Sequence, residues 1–434
     1  MKENLAVRAP DQPSQPFPGT ELNEQTLARL RQAKTAVWRR PAPAWDALTL
    51  ADVVQARARF QRFAPVLSRL FPGSDWDGGV ASALLAYPPC EGLPPLWVKA
   101  DHALPMTGSI KARGGVHELL CHVERIAAAE GIVLEGDLYA ALTTDAARAC
   151  FARHSVVVAS TGNLGFSIGL VARVFGLGAE IHMSHDAKEW KKARLRKLGA
   201  RVVEHAADFT ETVERARVAA AAQPGAYFVD DEASRELMLG YAVAAYELAE
   251  QLAARQIEVG PQQPLFVYLP CGVGGAPGGI TFGLKHLFGR DVICVMVEPT
   301  ASAAMFVALA QGEPPTPRHV SEFGLDNRTI ADGLAVPRAS PLALAVVGRL
   351  IDAVVAVSDQ HLLDWIRAAS RDAGLRLEPA AAAGFAAVQP WLQSLEAAGR
   401  DAASLHPHWH TGTHVVWTTG GSLLPDEEFA QLLG

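Results

Sequence analysis

The sequence predicts an α/β protein built on open, mostly parallel sheets, and three observations carry that prediction. From Pro94 onward, short β-branched or apolar runs alternate with longer amphipathic stretches, as strands do when helices join them. Many of the short runs are apolar throughout, which is expected where helices cover both faces of a sheet. Several runs also lead into clusters of Gly, Ser, Thr or Asn, at the strand ends where such sheets bind ligands. The 434 residues are enough for two or three domains of ~100–200 residues each.

Residues 20–80 read as a polar, helical N-terminal layer, with Leu27, Leu30 and Val37, then Val53, Val54, Phe60 and Phe63, at loosely helical spacing. Strands are expected at Leu96–Lys99, Ser155–Ala159, Ala179–Met183, Arg201–Val203 and Tyr227–Val229. Further strands follow at Leu265–Leu269, Val292–Val297, Ala353–Val357 and His414–Thr418. Helices are expected between them at Gly165–Phe175, Asp186–Leu198, Phe209–Ala222, Ser234–Ala254, Gly278–Phe288, Ser358–Ala373 and Ala380–Ala397. In the second of these, Asp186 serves as N-cap and Gly199 as the stop.

Composition narrows the function. Hydrophobic residues make up 49% and charged residues 20%, as in a globular protein with a large core, so extensive disorder is excluded. A formal charge of −7 gives no basic footprint for nucleic acid or an anionic membrane. No apolar run approaches the ~20 residues that span a bilayer, and the first residues lack the apolar core of a signal peptide. Five cysteines without C-x-x-C spacing argue against a disulfide framework or a zinc knuckle. A cytoplasmic enzyme of small metabolites is the expectation.

Three segments carry chemistry. Thr107-Gly108-Ser109-Ile110-Lys111-Ala112-Arg113-Gly114-Gly115 places a lysine between a Gly-Ser lead-in and a Gly-Gly exit. Ser160-Thr161-Gly162-Asn163-Leu164-Gly165 offers hydroxyls and backbone N–H groups at a helix start, where a carboxylate or phosphate can be held. Pro270-Cys271-Gly272-Val273-Gly274-Gly275-Ala276-Pro277-Gly278-Gly279 lets successive N–H groups converge on an anion. The next strand ends in Glu298, imitating the ribose-binding acid of a dinucleotide site. The third glycine of G-x-G-x-x-G would nevertheless fall on Pro277, and a Walker ending is lacking.

A lysine able to form a Schiff base and a glycine phosphate cup together suggest pyridoxal 5′-phosphate. On these segments the chain resembles the fold-type II (tryptophan synthase β-like) enzymes of this cofactor, and closely the bacterial D-serine dehydratase family. Glu189-Trp190-Lys191-Lys192, Asp230-Asp231-Glu232, Glu298-Pro299-Thr300, Ala331 to Val336 and Thr418-Thr419-Gly420-Gly421 add to the likeness, in family order from about residue 75 to 425. Ala276 and Ser422 replace expected glycines.

The resemblance implies that Lys111 holds the cofactor and that Asn163 bonds its ring hydroxyl. It implies that Gly272, Val273, Gly274 and Gly275 bind its phosphate and Thr419 its ring nitrogen. Substrate falls to Ser160, Thr161, Gly162, Asp230 and Asp231. Lys111 is the default base for the Cα proton, with Ser160 and Thr161 as rivals. A neutral hydroxyl at the ring nitrogen, unlike a carboxylate, favours β-elimination over racemisation or transamination. D-Serine would thus become pyruvate and ammonia, and D-threonine 2-oxobutanoate. The alternatives are an L-serine/L-threonine dehydratase, a serine racemase, or a non-catalytic carrier of the cofactor or amino-acid sensor.

The expected division is a large cofactor-anchoring domain, 1–111 and 226–434 with 1–75 mainly helical, and a smaller mobile domain, 112–225. Each holds an open, mostly parallel sheet. A monomer is implied, with room for a monovalent cation at no located position. His406, His408, His410 and His414 lack the spacing of a zinc site, so no metal ligands are assigned. Lys188, Lys191, Lys192, Arg194, Arg196 and Lys197 read as a solvated helix face.

Overall fold

The computed structural model describes residues 24–434 apart from 35, 40–47, 73–75, 135, 161, 186, 207–208, 313 and 400–401. Eleven strands form among the described residues: β1 Ala36–Arg39, β2 Leu84–Ala86, β3 Leu96–Ala100, β4 Ser155–Ala159, β5 Gly178–Ser184, β6 Arg201–His205, β7 Ala226–Val229, β8 Leu265–Pro270, β9 Val292–Pro299, β10 Ala353–Val357 and β11 Thr413–Thr418. All nine expected strands are present. The two unexpected ones, β1 and β2, are four and three residues long, too short for a period-two pattern to register.

The strands make two sheets. One runs β1-β10-β9-β8-β11-β3-β2 and the other β6-β5-β4-β7. The smaller sheet is wholly parallel, and the larger is antiparallel only at its two edge pairs. Strand β7 falls beyond residue 225 and pairs with β4, so the four-stranded sheet reaches Val229. An apolar run shows that a strand forms, not which sheet it joins.

Burial follows from the pleat. Leu265, Val267 and Leu269 of β8 face a core shared with Leu237, Ile280 and Leu284, from the helices Arg235–Ala242 and Gly275–Phe288. The alternate residues Phe266 and Tyr268 face Ala381, Phe385 and Val388 of the helix Pro379–Ala398. Both faces are therefore covered, which is why the strand is apolar throughout. The stretch expected as one helix over Ser234–Ala254 forms two, Arg235–Ala242 and Ala244–Ala254, meeting at Val243. The register of β11 against β3, Thr418 opposite Ala100, and of β11 against β8 brings three strand ends to one place. The expected N-cap Asp186 lies outside the described residues, and the helix it would open runs Glu189–Lys197.

Candidate active site

Lys111 begins the helix Lys111–Ala129, and the end of β11 holds its lead-in. Ser109 bridges to Gly420, and the Ile110 N–H donates to the Thr419 carbonyl at 2.8 Å. Lys111 Nζ lies 3.9 Å from Asp231 Oδ2 and 5.7 Å from the centre of the Tyr241 ring. Burial works against its charge, but the Asp231 carboxylate and the Tyr241 hydroxyl outweigh burial and hold its pKa above the ordinary lysine value.

Two residues on, Arg113 points away from the cleft, because i and i+2 do not share a helix face. Its guanidinium donates to both oxygens of the buried Asp101 at 2.7 Å and to the partly buried Glu247 at 2.7 Å. Lys99 pairs with the same Glu247, and Trp417 donates to Asp101 at 2.8 Å. One cation of the motif thus faces the cleft, while the other pins the base of its helix.

In the turn after β4, Ser160 Oγ accepts the N–H groups of Gly162 at 3.1 Å and Gly165 at 2.9 Å. With its lone pairs so engaged, Ser160 suits holding the turn better than taking a proton. Its rival Thr161 lies outside the described residues. Asn163 donates to Glu378 Oε1 at 2.7 Å. Gly162 is needed for close approach, since a Cβ there would stand 2.7 Å from Cδ of Lys191.

Lys191 corrects the reading of its helix as a solvated face. It is 7% exposed and Lys192 is 3% exposed. Lys191 pairs across the cleft with Asp332, and Lys192 with Glu204 at 2.7 Å. Burial opposes the Lys191 charge, but Asp332 and Glu378 raise its pKa nonetheless. The run Glu189–Lys197 has little amphipathic contrast, so its sequence could not show which lysines turn inward. Glu378 was also missed. Interior burial raises its pKa, against the pull of Lys191.

The glycine loop leads from β8 into the helix Gly275–Phe288. Among the described residues, none accepts a hydrogen bond from the N–H groups of Gly272, Val273, Gly274, Gly275 or Ala276. Such donors at the N-terminus of a fourteen-residue helix form an anion site. Gly274 is required for another reason: its φ is +109°, and a Cβ would meet Met305 Cε at 2.7 Å behind the loop. Glu298 is no ribose acid. Its carboxyl, pushed up to about 8 by burial, accepts the N–H groups of Met305 and Phe306 at 2.7 and 2.9 Å.

Thr419 closes the cleft, with its hydroxyl buried and without a hydrogen-bond partner among the described residues. Lys111, Ser160, Asn163, Asp231, Gly272–Gly275 and Thr419 all line this one cleft, with Lys191 and Glu378 beside them. Asp230 does not line it, and its carboxylate pairs with Arg217 at 2.9 Å. Of the histidines, His414 bonds the Tyr268 hydroxyl at 2.9 Å and His406 turns to Asp291, while His406, His408 and His410 stay in a row with ring centres 6.5 Å apart.

Pyridoxal phosphate fits this donor set. It needs an amine, an anion cradle and polar partners for its ring, and the amine, the unpaired N–H groups, the Asn163 amide and the orphaned Thr419 hydroxyl face one space. Fold and cleft together define an enzyme of the class that carries this cofactor on a lysine. The chain belongs to the family described as "Pyridoxal-phosphate dependent enzyme", whose model matches residues 83–407.

Relatives named "Probable D-serine dehydratase" resemble it over nearly their whole length. The Acidovorax ebreus protein is 46% identical, covering 96% of this chain and 98% of its own. That of Pseudomonas aeruginosa is 43% identical, covering 94% and 95%. Among solved structures, diaminopropionate ammonia lyase from Escherichia coli in complex with D-serine superposes with a TM-score of 0.68. It is 16% identical and covers 92% of this chain and 97% of its own. A fungal L-serine ammonia-lyase from Rhizomucor miehei superposes with a TM-score of 0.60 at 20% identity, covering 81% and 97%. At such identities the structures speak for the fold. No helix among the described residues is long and apolar enough to cross a membrane.

Proposed function

We propose that this chain is a D-serine dehydratase, converting D-serine to pyruvate and ammonia, with D-threonine giving 2-oxobutanoate as a second reaction. The observation that carries the reading is the convergence on one cleft of the Lys111 amine, the unpaired N–H groups of residues 272–276 and the unpaired Thr419 hydroxyl. Relatives of that name, 43–46% identical over their length, supply the substrate.

Lys111, Asn163, Gly272, Val273, Gly274, Gly275 and Thr419 would hold pyridoxal phosphate, which when bound supplies the electron sink that acidifies the substrate's Cα–H. The Ser160–Asn163 turn, opening a thirteen-residue helix, suits the substrate carboxylate. Lys111 takes the Cα proton, since the Ser160 oxygen is already engaged by two N–H groups. Asp231, 3.9 Å away, keeps the resting amine protonated and in place. Thr419 offers the ring nitrogen a hydroxyl where a carboxylate would hold it charged, which favours departure of the β-hydroxyl. The water lost is regained when the released enamine hydrolyses, so neither oxidant nor reductant is consumed.

The unit around the four-stranded sheet closes over the substrate in this reading. A monomeric, cytoplasmic enzyme with a monovalent cation near its cofactor belongs to the same reading. Gel filtration tests the first of these, and activity in potassium against lithium salts tests the last.

The deciding experiment supplies D- and L-serine separately to the loaded protein and follows pyruvate. Turnover of D-serine should exceed that of L-serine by ~100-fold or more in kcat/KM, since a site that bonds each substituent rejects its misplacement. Pyruvate from L-serine alone would move the reading to an L-serine dehydratase. Pyruvate from neither would remove it.

A further inference from the structure

Tyr241 lies on the helix Arg235–Ala242 and is wholly buried. Two glycines make room for it. A Cβ on Gly114 would stand 2.4 Å from the ring carbons Cε2 and Cζ, and one on Gly279 would stand 2.9 Å from Tyr241 Cβ. The ring is thereby wedged between the helix that begins with Lys111 and the helix that begins in the glycine loop. Its hydroxyl has no partner within hydrogen-bond distance among the described residues, and the group it interacts with most closely is the Lys111 nitrogen. An unpaired buried hydroxyl weakens a fold, and phenylalanine would fill the same place without that loss. The Lys111 nitrogen, 5.7 Å from the ring centre, is the mobile group beside it.

We propose that Tyr241 is a positioning residue for Lys111: a small turn of the lysine side chain brings its nitrogen to the Tyr241 hydroxyl, which accepts a hydrogen bond from it once it is released from the cofactor and so keeps the free amine charged and in the cleft. The proposal rests on Lys111 being the cofactor-bearing lysine. A lysine that is bonded and released in every turnover needs a partner that awaits it, and a hydroxyl on a locked ring awaits it without rearrangement. The other titratable groups facing Lys111 are Asp231, Cys271 and Glu378, while Asp231 and Glu118 face Tyr241. Asp231 alone would pull the ammonium toward the turn after β7, and Tyr241 draws it toward the cleft floor.

The test uses Tyr241→Phe in the full-length chain before the cofactor is added. Phenylalanine keeps the ring, and a circular dichroism melt checks that the fold is kept. Modification of Lys111 by trinitrobenzenesulfonate is followed by peptide mapping from pH 8 to 11, with exposed Lys188 as internal reference. Without the hydroxyl the charged form loses support, so at pH 9 the Lys111 rate should rise about five- to tenfold, a downward shift of about one pH unit. An unmoved profile, or one moved upward, would overturn the proposal, because a purely packing role leaves this profile unchanged. Pyruvate formation from D-serine by the loaded wild type is measured apart from this. Its failure would strike the dehydratase reading and leave the Lys111 comparison standing.

Discussion

At the scale of single residues, the site divides into groups already satisfied by the protein and groups left unsatisfied. Arg113, Asn163 and Ser160 are bonded, whereas the Thr419 hydroxyl and the N–H groups of the glycine loop are not. The unsatisfied set identifies the ligand, and it gives a prediction whose two arms have opposite signs. Thr419→Val removes a hydroxyl that has no partner among the described residues, so the cofactor-free chain should melt at the same temperature or higher. Pyridoxal phosphate should then bind ~5- to 13-fold more weakly, the worth of one ~1–1.5 kcal/mol hydrogen bond. Thermal unfolding and an absorbance titration measure the two arms. A destabilised chain with unchanged affinity would mean that Thr419 merely supports its turn. The motif residues were legible in the sequence because they lie together in short segments with unusual composition. Tyr241 and Glu378 were not, since each is a single residue inside an ordinary helix or at its start, brought to the cleft by packing.

At the scale of elements, strands surrendered to pattern and helix faces did not. A strand buried on both faces is a block of Val, Ile and Leu, which is why β8 to β10 could be read directly, while short antiparallel edges such as β2 left no block to see. The helix Glu189–Lys197 shows the limit, for its charges look alike and behave differently. Lys188, before its first turn, makes an exposed pair with Glu428, whereas Lys191 reaches across the cleft to Asp332. Replacing each with methionine should separate them. Lys188→Met should change the free energy of urea unfolding by no more than ~0.5 kcal/mol. Lys191→Met should lower it by about 1–2 kcal/mol, short of the ~3–5 for a fully buried pair because Asp332 is 35% exposed. Equal effects would return Lys191 to the solvent.

At the scale of the whole molecule, four buried imidazoles tie stability to pH. Burial holds His102, His117, His122 and His414 down to about 4. They sit in different parts of the fold, His102 against Thr418 at 2.7 Å and His117 against the Glu236 carbonyl at 2.7 Å. In the unfolded chain each regains its ordinary value near 6.5. Between about 6.5 and 4 the unfolded state therefore binds protons that the folded state refuses, and stability falls as pH falls through that window. Melting temperature should drop by ~5–10 °C from pH 7 to pH 5, with loss to the four sites adding roughly independently. Replacing His414 with glutamine, which can still bond Tyr268, should flatten part of that slope. The pairing of β3 with β11 has a consequence of another kind. Lys99 and Thr418, bonded at 3.0 Å, are 319 residues apart in the chain, and the lysine loop is fastened to the segment that follows β11, Ser109 to Gly420 and Ile110 to Thr419. Until synthesis has passed β11 and that segment has left the ribosome, an emerging chain has its lysine and its glycine loop but no finished seat for the cofactor. Capture of pyridoxal phosphate thus waits for that segment, and a ribosome stalled before β11 should display a nascent chain that cannot be reduced by borohydride to a pyridoxyl-lysine adduct.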